Sequence, residues 1–120
     1  MDRLAGAWIA LAIAAGAFAA HGATGPAVEW LRTGALYAMV HGVAAIVIAQ
    51  RTSGPARLML VGSMIFALTL FAMAAGAPRW LGAVTPLGGL AMIAGWLWLA
   101  LYPAASRNAA TSPSEIDRST

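Results

Sequence analysis

The sequence has no cysteine and no lysine, and only four carboxylates among its 120 residues. Without cysteine there is no disulfide framework, no thiolate metal site and no thiol catalysis. Charge of either sign is scarce. Seven arginines and four acids make up 9% of the chain, against 61% hydrophobic residues and a mean hydropathy of +0.78. So few charges cannot cover the exterior of a soluble domain of this length, and the composition is that of a polytopic membrane protein. The arginines are scattered at the ends of apolar segments. The pI near 10.7 therefore reflects topology marking, not a phosphate-binding patch, and no nucleic-acid partner is expected. The all-arginine basic set, beside abundant Ala and Gly, points to a GC-rich bacterial genome.

What is present is four apolar runs, at about 4–20, 33–49, 58–75 and 81–102. A helix of roughly 20 residues crosses about 30 Å of hydrocarbon. The second run has room to begin earlier, at Pro26, a favourable first helical position. "QRTSGPAR" (50–57) reads as a polar turn with a Gly54-Pro55 break, and "GAPRW" (76–80) separates runs three and four. The expected fold is an all-α membrane protein, a compact bundle of four transmembrane helices over residues 1–103. Beyond it, 104–120 is polar, without apolar periodicity, and reads as a disordered cytoplasmic tail. No internal repeat of the kind that builds inverted-repeat transporters is evident.

With four spans, both termini share a side with the 50–57 turn. That side holds Arg3, Arg51, Arg57, Arg107 and Arg118, and the other holds Arg32 and Arg79. The positive-inside rule then places the N and C termini in the cytoplasm. Trp30 and Trp80 fall at the opposite interface, and Trp98 and Tyr102 near the cytoplasmic one. The stretch "AGAFAAHG" (15–22) admits a competing reading, because Ala17-Phe18-Ala19 has the small-x-small form of a signal-peptidase site. Asp2 beside Arg3 weakens an export signal, and cleavage would leave three spans. An uncleaved first helix is expected.

Three motifs carry a family likeness. "AGAFAAHG" (15–22), "WLRTGALYAMVHGVA" (30–44) and "VTPLGGLAMIAGW" (84–96) occur in order at separations that resemble the YgdD-like family, domain of unknown function 423. The positions that match are Gly16, Ala17, Phe18 and His21, then Trp30, Thr33, Tyr37 and His41, and finally Thr85, Pro86, Gly88, Gly89, Gly95 and Trp96. The resemblance implies a small four-helix protein of the bacterial inner membrane with an uncleaved first helix, and it supplies no accepted activity. Two departures stand out: Ala19 replaces a usual glycine, and the third span reads "LTLFAMAAG" where relatives carry a serine- and glycine-containing stretch ending in tyrosine.

His41 is the sharpest feature, an ionisable side chain inside a span. Thr33, Tyr37 and His41 recur every four residues and form one polar stripe. Gly34, Ala38 and Gly42 form a small-residue stripe about 100° away, suited to close helix approach. Both are expected to face the bundle interior. Two readings of the polar stripe stand: a proton relay or buried binding site, or a neutral imidazole tying neighbouring helices together at about 0.6–2 kcal/mol. His21, Glu29, Arg32 and Arg79 form an expected polar cluster at the outer interface, with His21 capping helix-end carbonyls. Placed about eight residues into the second span, His41 lies roughly 12 Å deeper than His21, which argues against a shared haem. Thr85-Pro86 reads either as N-cap and first helical residue or as a kink in a helix begun at Leu81. Gly88, Gly89, Gly95 and Trp96 on the fourth span, and Ala12, Gly16 and Ala20 on the first, read as packing positions.

No carboxylate pair, HExxH, phosphate loop or serine–histidine arrangement is present. The expectation is a non-enzymatic protein with no metal and no cofactor. It would act as a structural or partner-binding component of the envelope, its partners being the lipid bilayer, a second copy or other membrane proteins. The alternative is a small-molecule, lipid/quinone or proton-coupled carrier that uses the Tyr37–His41 stripe.

Overall fold

The computed structural model describes residues 1–102, and the tail expected at 104–120 lies outside the described residues. Four helices follow one another: α1 (Asp2–His21), α2 (Pro26–Ala49), α3 (Ser53–Ala74) and α4 (Thr85–Leu101), the last preceded by a 3-10 segment, Arg79–Ala83. α1, α2, α3, and α4 together with its 3-10 lead are each long and apolar enough to cross a membrane.

The helices overrun the apolar runs at several ends, for identifiable local reasons. α1 starts at Asp2, an acid that suits the positive end of the helix dipole. α2 starts at Pro26, where the missing N–H costs nothing; the residue before it, Gly25, takes φ +64°, a conformation that favours glycine. The 50–57 segment is mostly helix, and only Gln50–Thr52 turns. Gly54-Pro55 does not break the chain as its sequence suggests. Pro55 falls in the first turn of α3, where no intrahelical donor is required. α4 is not one kinked helix from Leu81: a 3-10 turn ends at Ala83 and the α-helix opens at Thr85, with Pro86 in its first turn.

Connections of four residues (22–25) and three residues (50–52) join α1, α2 and α3 as antiparallel neighbours, and residues 75–84, which hold the 3-10 segment, lead into α4. α2 and α3 form the centre, with 44% of their spanning residues buried against 22% for α1 and for α4. α1 packs on α2, and α4 packs on α3.

Alanine supplies half of the buried apolar side chains among the described residues, beside Trp8, Met59 and Leu60. Ala5, Ala12, Ala38, Ala45, Ala56 and Ala67 are fully buried, whereas Leu11, Ile13, Val43, Val47, Leu90 and Leu97 point outward. In water this pattern would be inside out. In lipid it is favourable, because tails solvate leucine as well as a core does, and helix association then depends on close van der Waals approach. The stripe Gly34–Ala38–Gly42 is wholly interior and serves two neighbours, with Gly34 under Phe71 of α3 and Gly42 under Ile9 of α1. On α1 the expected Ala12–Gly16–Ala20 stripe drifts: Ala12 is buried and Gly16 faces Ala35, but Ala19 takes the third place and Ala20 is exposed. At 3.6 residues per turn a four-residue repeat rotates off the interface within two turns.

Candidate functional site: a histidine–tryptophan tie beside a lateral groove

His41 is buried, 6% exposed, on the face of α2 that turns toward α4. With α2 starting at Pro26, the ring lies about 22 Å from the outer end of its helix, further from His21 than the sequence reading placed it. Both ring nitrogens are engaged. The indole Nε1–H of Trp96 donates to His41 Nε2 at 3.0 Å, and Nδ1 lies 2.7 Å from the Tyr37 carbonyl oxygen. An indole N–H can only donate and a carbonyl can only accept. Nε2 must therefore carry the lone pair and Nδ1 the hydrogen, so the ring is the neutral Nδ1–H tautomer. Its remaining lone pair accepts from Trp96. The two rings meet edge to face at 6.0 Å between centroids.

Tyr37 departs from the expected inward stripe. It is 41% exposed, its ring stacked 6.1 Å from His41 and tilted 4.7 Å from Phe66 of α3. Thr33, one turn earlier, is half-buried. Tyr37 stands at the lip of a groove of about 330 Å³ that opens to the lipid side, lined by Tyr37, His41, Phe66, Gly89, Met92, Ile93 and Trp96. Among the described residues the Tyr37 hydroxyl meets no hydrogen-bond partner and is left to the groove.

Two further ties cross the bundle, and both depend on residues that sequence reasoning missed. Trp8 of α1 donates its indole N–H to Ser63 Oγ of α3 at 3.1 Å, and Ser63 passes its own hydrogen to the Leu60 carbonyl at 2.8 Å. Thr85 is not an N-cap. Its hydroxyl meets Thr69 Oγ1 of α3 at 2.7 Å, while Thr69 donates to the Phe66 carbonyl at 2.9 Å. An interior serine and a threonine in otherwise apolar spans were the available signals. Among the described residues, α1 is thus tied to α3 through Trp8, and α4 is tied to α2 through Trp96 and to α3 through Thr85. Gly88 and Gly95 lie against the α3 backbone near Gly62 and Met59, while Gly89 is loosely placed beside the Phe66 ring.

The outer polar cluster does not assemble as one group. Glu29 and Arg32 pair at 3.6 Å on the surface of α2, and Arg79 sits over the Trp30 ring at 5.8 Å. His21 is exposed and does not cap α1: the backbone N–H groups of Gly22 and Ala23 both close onto the Phe18 carbonyl, as happens when a helix ends without side-chain help. Among the described residues, no three histidine or acidic side chains converge in a way that could hold a metal ion.

These features define a polytopic α-helical membrane protein whose small-residue core is locked by a few interhelical side-chain hydrogen bonds. The chain belongs to the family described as "Protein of unknown function (DUF423)", which matches residues 15–89, from the end of α1 into α4. It is similar to a UPF0382 membrane protein of Haemophilus influenzae, 36% identical over 99 residues, covering 73% of this chain and 80% of the relative. It is likewise similar to the UPF0382 membrane protein SH2409 of Staphylococcus haemolyticus, at 34% over 74% of this chain and 82% of the relative. A third relative, the UPF0382 membrane protein YwdK of Bacillus subtilis, is 34% identical over 74% of this chain and 83% of its own length. No solved structure matches the chain at a significant level.

Proposed function

We propose that the protein is a non-enzymatic structural or partner-binding component of the bacterial cytoplasmic membrane, with both termini on the cytoplasmic side. The observation that carries this reading is the engagement of His41, the one histidine deep in a span among the described residues: Nε2 accepts from Trp96 of α4, and Nδ1 is held by the Tyr37 carbonyl of its own helix. A histidine so occupied serves register and rigidity. The orientation is supported by the arginines of the described residues, with Arg3, Arg51 and Arg57 at the terminal end against Arg32 and Arg79 at the other. The partners that fit are the bilayer, a second copy of the chain or other membrane proteins.

The test is a double-mutant cycle on thermal or denaturant unfolding in a fixed detergent. His41→Phe and Trp96→Phe are each expected to lower stability by about 1 kcal/mol, and the double variant by little more than the larger single loss, because one bond is being removed twice. If His41→Phe left stability unchanged but stripped a stoichiometric bound molecule, the reading would be wrong.

A second reading, a binder or carrier of a lipid-soluble small molecule such as a quinone, is favoured by one observation. The groove of about 330 Å³ is lined by Tyr37, whose phenol meets no hydrogen-bond partner among the described residues, at mid-helix depth, where an unmet polar group is costly. On this reading Tyr37→Phe leaves stability within about 0.5 kcal/mol, since the hydroxyl supports no protein contact. It would abolish a co-purifying mass seen by native mass spectrometry. Retention of that mass by Tyr37→Phe, or its absence from the wild type, removes the second reading.

A further inference from the structure

At the end of the bundle that carries the N-terminus, the start of α1, the end of α2 and the start of α3 leave a second concavity, of about 380 Å³, open on one side. Its walls divide by chemistry. Met1, Leu4, Ala49, Leu60 and Val61 form its apolar lining, and Ser53 and Arg57, both exposed, its polar lining. Ser53 is the first residue of α3 and Arg57 lies one turn on, so the hydroxyl and the guanidinium share a helix face. Arg57 is exposed, and among the described residues the salt bridge that forms is Glu29–Arg32, at the opposite end. Basic pockets between transmembrane helices near their ends are suited to lipid headgroups.

We infer that this pocket is a binding site for an anionic phospholipid, whose phosphate is held by Arg57 and Ser53 and one of whose acyl chains lies along Leu60 and Val61. Charge selects the anionic class. Arg3, Arg51 and Arg57 lie at this end with Asp2 as the acid among the described residues, so a zwitterionic headgroup would bring its ammonium into a positive field, whereas a phosphatidylglycerol headgroup adds no cation. The apolar slot selects a lipid over a free phosphate, because only a lipid fills it. The site is separate from the His41 groove and does not depend on the function proposed above.

The test uses the full chain in detergent, titrated with phosphatidylglycerol or phosphatidylcholine of identical acyl chains and read by native mass spectrometry. The wild type is expected to prefer phosphatidylglycerol by at least about fivefold, the contribution of one arginine at a membrane surface. Arg57→Gln removes the preference, while Arg32→Gln at the far end keeps it. Val61→Trp, at a half-exposed position, keeps every charge and fills the slot; it is expected to lose bound lipid of both kinds, and it tests the site even if Arg57→Gln folds poorly. Inorganic phosphate at millimolar concentration is expected not to displace the lipid. No preference in the wild type, an undiminished preference in Arg57→Gln, or displacement by phosphate alone would each overturn the assignment.

Discussion

Gly88→Ala is expected to destabilise the bundle by about 1–3 kcal/mol, and Gly88→Leu to prevent recovery of a folded, monodisperse protein, whereas Gly89→Ala is neutral or slightly stabilising. The two glycines are adjacent in sequence but their surroundings are opposite. A Cβ at Gly88 would press on the Phe66 backbone nitrogen, 2.5 Å from the Gly62 carbonyl oxygen and 2.9 Å from Phe66 Cα. These are backbone atoms of a central helix and cannot rotate aside, so α4 would have to lift from α3. That movement would also pull Trp96 from His41 and Thr85 from Thr69. A Cβ at Gly89 would meet only the Phe66 ring, at 3.8 Å, and would gain the helix preference of alanine over glycine, about 1 kcal/mol. Unfolding of the two single variants side by side checks this. Equal stabilities would mean that α3 and α4 do not approach as closely as the Gly62–Gly88 contact requires.

The second large effect lies on the other flank. Trp8→Ala is expected to cost about 3 kcal/mol, and Trp8→Phe about 1 kcal/mol. Trp8 is 5% exposed, its ring 6.3 Å from that of Phe71 between centroids, and its indole supplies the tie to Ser63. Truncation to alanine removes ring packing and hydrogen bond together. The loss falls at the low end of the range known for buried aromatics, because in the competing state the helix sits in lipid, which is as apolar as the core. Phenylalanine keeps most of the ring and gives up the N–H. Ser63 then still donates to Leu60, so no buried donor is orphaned. If the two variants lost equal stability, ring packing would contribute nothing and this account of α1 would fail.

How far the site was legible depends on whether a residue's role is set within its own helix. His41, Tyr37 and Thr33 announce themselves by residue type and four-residue spacing, and Gly34–Ala38–Gly42 by size. What each meets is a matter of helix rotation. Trp96 reads as a packing residue until α4 is turned to bring its indole to His41, and Ser63 and Thr69 read as incidental polar groups until Trp8 and Thr85 arrive from other helices. Tyr37 belongs to an interior stripe by periodicity, yet its ring remains 41% exposed beside the groove.

By itself the sequence determined that the chain lives in a membrane and that it forms four spanning helices. Those properties rest on local quantities: charge content, run length, and the backbone demands of glycine and proline. Only the tertiary structure decided that α2 and α3 occupy the centre, that alanines supply half of the buried apolar positions while many leucines and valines face outward, and that His41 accepts from an indole. Lipid offers the helices no solvent-driven reason to hide their large apolar faces, so rotation and register are chosen by the closest fit of small residues and by a few hydrogen bonds between side chains far apart in sequence.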